Sequence, residues 1–195
     1  MVSNEQINVI KRNGRGPETL DIDKIHSMVG FATEGITGVS ASHVEMNSGL
    51  QFFDGISTED IQQILIKSAN DLISLESPNY QYVAARLLLF SLRKSLHHRL
   101  WEHPKFITHI KKLVDLGLYD KGILDNYTEA EIDRMGMWID HERDYSFTYA
   151  GLRQVMDKYL VQDRSTGEIF ETPQFMYMMI SATLFAKYPK ESRLQ

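Results

Sequence analysis

The sequence predicts a mainly α protein, a small β cap on a four-helix bundle followed by a helical region with one β-hairpin. Three observations predict it. The chain opens on a short β-branched run broken by glycine turns, the pattern of a small strand pair. From residue 23 onward, apolar side chains recur at helical spacing in one capped segment after another. Later in the chain, residues 159–171 place a turn between two extended runs.

Ile7-Asn8-Val9-Ile10 reads as a strand, Asn13-Gly14 and Gly16-Pro17 as turns, and the stretch to Leu20 as extended again, before Asp21 or Asp23 caps a helix. Ile25, Met28, Val29 and Ala32 share one face of that helix, which Gly35 and Gly38 close. Ser40 or Ser42 caps a second helix through Val44, Met46 and Leu50. Thr58 is the expected N-cap of a third, with Glu59 and Asp60 in its first turn and Ile61, Leu65, Ala69 and Leu72 at helical spacing. Ser77-Pro78 starts a fourth over residues 80–94, apolar nearly all round and therefore the most buried. Helices are expected over 105–116, from a Thr128 cap through Met135, and up to Lys158, with a loop over 117–127. Tyr159-Leu160-Val161 and Glu168-Ile169-Phe170-Glu171 flank the hairpin turn, and Pro173 starts a last apolar helix through Phe185. Residues 188–195 carry no terminating signal and read as leading into further structure.

With 195 residues, 43% hydrophobic and 24% charged, the chain can bury one sizeable core or two small ones. Its formal net charge of -5 argues against a general nucleic-acid binder, which needs a basic excess to neutralise phosphates. It has no cysteine, which excludes disulfides, zinc ribbons, iron–sulfur centres and any thiol nucleophile or thiyl radical. No apolar run reaches the roughly 18 residues of a membrane span, and the expected location is the cytoplasm, with no membrane partner.

Lys11 and Arg12 end the first strand, and Lys24 lies on the first turn of the first helix, where free backbone N–H groups point outward. Together they form a candidate anion site. A surface hairpin with solvated lysines accounts for the same spacing. Neither familiar phosphate loop is present: Gly14–Thr19 lacks the third glycine of the dinucleotide fingerprint, and no G-x-x-x-x-G-K-[ST] occurs.

At Lys11-Arg12-Asn13-Gly14, Asp23-Lys24-Ile25-His26, Tyr80-Gln81-Tyr82-Val83-Ala84-Ala85-Arg86-Leu87 and His141-Glu142-Arg143-Asp144, the chain resembles the N-terminal part of the class I ribonucleotide reductase large subunit, of the bacterial and bacteriophage type. The resemblance runs on through Lys158-Tyr159-Leu160-Val161, Thr166-Gly167-Glu168-Ile169-Phe170-Glu171 and Arg193-Leu194-Gln195. It implies that residues 1–95 are an ATP-cone, an allosteric module for ATP or dATP with Mg2+, and that residues 96–195 are the helical region that leads into the catalytic barrel. It further implies that Lys11 and Arg12 touch the triphosphate, that Lys24 and Lys94 close on it, and that Glu18 and Asp21 lie on the nucleoside side. Leu20 and Ile25 would pack near the base, Thr58 and Ile61 would form the far wall, and Gln62 stands where the family often has a histidine. Asp21 departs from a common asparagine, and the turn within Gly14–Glu18 carries one insertion; an ionised carboxylate only accepts hydrogen bonds, so Asp21 alters the base contact. The implied partners are the remainder of the large subunit, the radical-generating small subunit, and further copies of the chain.

Ribonucleotide reduction in that family uses a thiyl radical and a cysteine pair, so this chain alone is expected to have no catalytic residue and to stop short of the barrel. Two other readings compete: a DNA-binding regulator, which in this context would carry a zinc ribbon, and a scaffold fragment with a degenerate cone. His97, His98, His103 and His109 are close in sequence, but their spacing does not set metal ligands on one helix face. His141–Asp144 reads as an ion-pair network before a helix, and the Phe175–Met179 run as core whose excess would expose surface for partners.

Overall fold

A computed structural model of the chain describes residues 7–11, 16–49, 51–98 and 101–194. Arg12, the Asn13-Gly14 turn and the Leu50 end of the second helix lie outside the described residues. The fold is mainly α with a small three-stranded sheet, the class expected. The chain divides into two units, residues 1–91 with 147–152, and residues 92–146 with 153–195.

In the first unit the sheet has the order β2-β1-β3, from β1 (Asn8–Ile10), β2 (Glu18–Thr19) and β3 (Ile56–Ser57). β1 pairs antiparallel with β2, Val9 opposite Glu18, and parallel with β3, Val9 opposite Ile56. The sequence announces the hairpin but not β3, because a two-residue strand has no periodicity and its pairing is long-range. Asp54 fixes that pairing: its carboxylate accepts the Asn8 backbone N–H at 2.7 Å and the Asn8 side-chain amide at 3.0 Å.

Four helices complete the unit: α1 (Ile22–Thr33), α2 (Ala41–Gly49), α3 (Thr58–Asp71) and α4 (Tyr80–His97), the last continuing into the second unit. Asp21 is the N-cap of α1, accepting the Lys24 N–H, and Asp23 sits in its first turn. Gly35, at φ +70°, ends it in the left-handed region that a glycine enters without strain. The N-cap of α3 is Ser57, accepting the Asp60 N–H; Thr58, the expected cap, is its first helical residue. Ser57 and Thr58 carry the same hydroxyl chemistry, and pairing with β1 holds Ser57 extended as a cap requires. Val29, Val44, Ile56, Leu65, Val83 and Leu87 are fully buried and form the core.

The second unit contains α5 (Phe106–Asp115), α6 (Gly122–Asn126), α7 (Glu129–Met137), a 3₁₀ helix (His141–Ser146), α8 (Tyr149–Lys158), which begins in the first unit, and α9 (Pro173–Phe185). α6 lies inside the stretch expected to be a loop; at five residues it is too short to show a periodicity. Thr128 and Glu131 form a complete capping box on α7. Within the expected hairpin, Gln162 and Ile169 form a single bridge around a turn with Gly167 at φ +76°. The core joins Phe106, Ile110, Tyr127, Ile132, Met135 and Phe175. The tail is tied back as well: Arg193 donates to Glu131 Oε1 at 2.7 Å, stacks over the Tyr127 ring at 4.1 Å, and Leu194 packs against the core. That anchorage needs two distant partners, so the local sequence of residues 188–195 does not announce it.

Candidate functional site

The sheet and the start of α1 place four charged side chains on one exposed edge of the first unit. Lys11 follows the last residue of β1, and although the antiparallel register sets Glu18 opposite Val9, its side chain reaches Lys11, with Lys11 Nζ 2.5 Å from Glu18 Oε2. The Leu20 N–H donates to the Ile7 carbonyl at 2.8 Å, which holds the entry to α1 against the strand. Asp21 then uses its two oxygens differently: Oδ1 accepts the Lys24 N–H at 3.3 Å, and Oδ2 lies 2.9 Å from Lys24 Nζ. The Lys24 ammonium, hydrogen-bonded to it, holds the Asp21 carboxyl below its ordinary value. Asp21 in turn raises the Lys24 ammonium, with the Glu18 charge adding to the effect.

The structure thus brings together Lys11, Glu18, Asp21 and Lys24, and it pairs each lysine with a carboxylate. Leu20 is half-buried beside them and Ile25 is buried. On α3, Thr58 is half-buried, and Ile61 and Gln62 are buried. The Gln62 amide donates to the Leu87 carbonyl at 2.9 Å, so it joins α3 to α4. Lys94 is exposed near the end of α4 and belongs to the second unit. Sequence reasoning found the two lysines from their spacing about the turn but missed Asn8 and Asp54, whose side-chain link fixes the strand that presents Lys11; the Asp54-Gly55 turn is its one sequence signal.

Residues 7–95 match the family model of the ATP cone domain, and residues 145–194 match that of the ribonucleotide reductase all-alpha domain. The chain is related to the N-terminal part of ribonucleotide reductase large subunits. It is 50% identical over 191 residues to the ribonucleoside-diphosphate reductase subunit alpha of Haemophilus influenzae, covering 98% of this chain and 25% of that relative. It is 48% identical to the ribonucleoside-diphosphate reductase 1 subunit alpha of Escherichia coli, again over 98% of this chain and 25% of the relative. To the subunit alpha of Enterobacteria phage T4 it is 44% identical, over 94% of this chain and 24% of the relative. The chain therefore spans about a quarter of the length of the curated relatives it matches. Among the described residues, no helix is long and apolar enough to cross a membrane.

The second unit holds a different polar cluster, centred on Arg93 and Asp144, both almost wholly buried. Arg93 donates to the His141 carbonyl at 2.6 Å and to the Tyr145 hydroxyl at 2.9 Å, and its Nη2 lies 3.6 Å from Asp144 Oδ2. Asp144 Oδ1 accepts the Gln174 amide at 2.8 Å, which ties the 3₁₀ helix to α9. His103 and His141 stack with ring centroids 3.6 Å apart, His97 meets His103 edge-on at 5.3 Å, and His109 packs on Phe175. Burial pushes the Asp144 carboxyl up to about 6 and pushes His103, His109 and His141 down to about 3, about 3 and about 4. Among the described residues, no group of three histidine or carboxylate side chains is arranged to hold a metal ion. The charges of His141–Asp144 pair with residues outside the quartet: Asp144 faces Arg93, and Arg143 lies 3.8 Å from Asp140.

Proposed function

We propose that this chain is the nucleotide-sensing N-terminal region of a ribonucleoside-diphosphate reductase large subunit. In this reading residues 1–95 bind ATP or dATP, with Mg2+, and residues 96–195 begin the scaffold of the subunit. The observation that carries it is the lysine pair at the charged edge: Lys11 from the end of β1 and Lys24 from the first turn of α1, within the segment that matches the ATP cone. Phosphate oxygens on two such ammonium groups make charge-assisted bonds about twice as strong as neutral ones. Leu20 and Ile25 are the apolar side chains adjacent to that edge in the chain, suited to the base, and Thr58 and Ile61 on α3 would form the far wall.

Bound nucleotide acts by favouring one quaternary arrangement over another, which requires a different affinity for the two. The partners in this reading are the remainder of the large subunit, the radical-generating small subunit and further copies of the chain. The reduction itself belongs to cysteines that this chain does not contain. A second reading draws on a specific observation, that both lysines are already paired with carboxylates: a scaffold whose cone no longer takes nucleotide. Calorimetric titration with ATP and dATP in magnesium, with light scattering on the same samples, separates the two. Saturable binding with a change in mass is the result expected; a folded sample that gives no heat with either ligand would leave the scaffold.

A further inference from the structure

The phosphate site proposed above carries its own anions. Lys11 is held by Glu18 at 2.5 Å and Lys24 by Asp21 at 2.9 Å, and the Glu18 charge also reaches Lys24. With Asp23 in the first turn of α1, the described part of this edge has three carboxylates against two ammonium groups. A triphosphate approaching it meets cations whose charge is already answered. All four paired side chains are at least one-third exposed, so the pairs are screened by water and readily opened. Asp21 is also built so that opening its pair leaves the helix capped: Oδ1 holds the Lys24 N–H, and only Oδ2 holds the ammonium.

Resting on the nucleotide reading and deepening it, we propose that Glu18 and Asp21 are internal counter-ions of the phosphate site, and that nucleotide binds by anion exchange, its phosphates taking Lys11 and Lys24 from the two carboxylates. Two consequences follow for the free protein. Its affinity for a triphosphate is lower than its lysines alone would give, and Asp21 sets that affinity without being required for it. Its binding also depends only weakly on salt, because the anions displaced from the lysines are its own side chains rather than ions from solution.

The test substitutes Asp21→Ser, which keeps an oxygen that caps α1 and removes the charge. Affinity for ATP and for inorganic triphosphate is measured by calorimetry on the full 195-residue chain at several salt concentrations, with a thermal melt to establish that the variant is folded. The expected result is binding roughly two- to fivefold tighter than in the unsubstituted chain, the range an exposed ion pair accounts for, and a steeper loss of affinity with salt. The gain must vanish when Asp21→Ser is made in a Lys24→Met background, since it acts through Lys24. Glu18→Gln gives a second reading of the same effect through Lys11. If the unsubstituted chain binds ATP and Asp21→Ser binds it equally or more weakly with the same salt dependence, the counter-ion role is overturned while the nucleotide reading stands. If the unsubstituted chain is silent and Asp21→Ser binds, the counter-ion role is upheld in its strongest form. If neither binds, both readings fail.

Discussion

The two units of this chain use the same charged side chains in opposite ways. At the edge of the cone, Lys11–Glu18 and Lys24–Asp21 face solvent, where an ion pair is screened and contributes little to folding. In the second unit, Arg93 and Asp144 are 2% and 1% exposed, the pair is long at 3.6 Å, and burial outweighs attraction, lifting the Asp144 carboxyl instead of lowering it. Geometry at the cone edge is short and weak; in the second unit it is long and costly to disturb. Exposed pairs can be exchanged for a ligand, whereas buried ones hold helices in register.

The largest effect that this contrast predicts is at Asp144. Asp144→Ala leaves the Arg93 guanidinium buried without its counter-charge and frees the Gln174 amide, and denaturant unfolding is expected to show a loss of about 3–5 kcal/mol. Replacing both members, Arg93→Met with Asp144→Leu, should recover most of that loss. A double variant as unstable as Asp144→Ala would show that the cluster does more than neutralise itself.

Acid separates the units next. His103, His109 and His141 stay neutral in the folded chain far below their ordinary value of 6.5, whereas the unfolded chain takes up protons there, so their contribution is lost as pH falls from 6.5 toward 4. Asp144 works in the other direction: pushed up to about 6, it binds its proton in the folded state first and adds stability between pH 6 and its ordinary 3.8. Burial also lowers His97 and raises Glu171, so four histidines oppose two carboxylates, and the net is a loss. At the cone edge Asp21 is held below its ordinary 3.8, so that pair keeps its stability until pH falls below that value. Hydrogen exchange at pH 7 and pH 5 should therefore show protection falling around His103 and His141 and held at the start of α1; the reverse order would break the comparison.

Smaller effects sharpen it. Thr128→Ala removes the capping box of α7 and is expected to cost about 1 kcal/mol in a thermal melt. The exposed Lys111–Glu129 pair, at 2.5 Å as close as the Lys11–Glu18 pair, should change stability by under about 0.5 kcal/mol when Glu129 becomes Gln. A larger loss there would mean that exposed pairs in this chain are not the weak contacts that exchange for phosphate requires.

Much of the fold is legible in local sequence, because α1, α3, α7 and α9 each carry a capping residue and apolar positions at helical spacing. What local sequence omits is what depends on distant pairing. β3 exists because Asp54 and Ile56 meet β1, and the tail is anchored because Arg193 meets Glu131. The histidines that converge come from α4, the following loop, α5 and the 3₁₀ helix, so their spacing along the chain says nothing of their stacking. At the cone edge the positions of Lys11 and Lys24 follow from the turn between them, and so does the anion site as a candidate. Their pairing with Glu18 and Asp21 does not, since the charge pattern alone allows those carboxylates to face either a ligand or the lysines.

In the proposed reading, Lys11 and Lys24 face a nucleotide. The most direct measurement is the ATP and dATP affinity of the double variant Lys11→Ala with Lys24→Ala, set beside Lys111→Ala, which removes an exposed lysine from the other unit. Affinity is expected to be at least about tenfold weaker in the double variant and unchanged in Lys111→Ala. Equal affinity in all three proteins would contradict it and move the site away from the edge that β1 and α1 share.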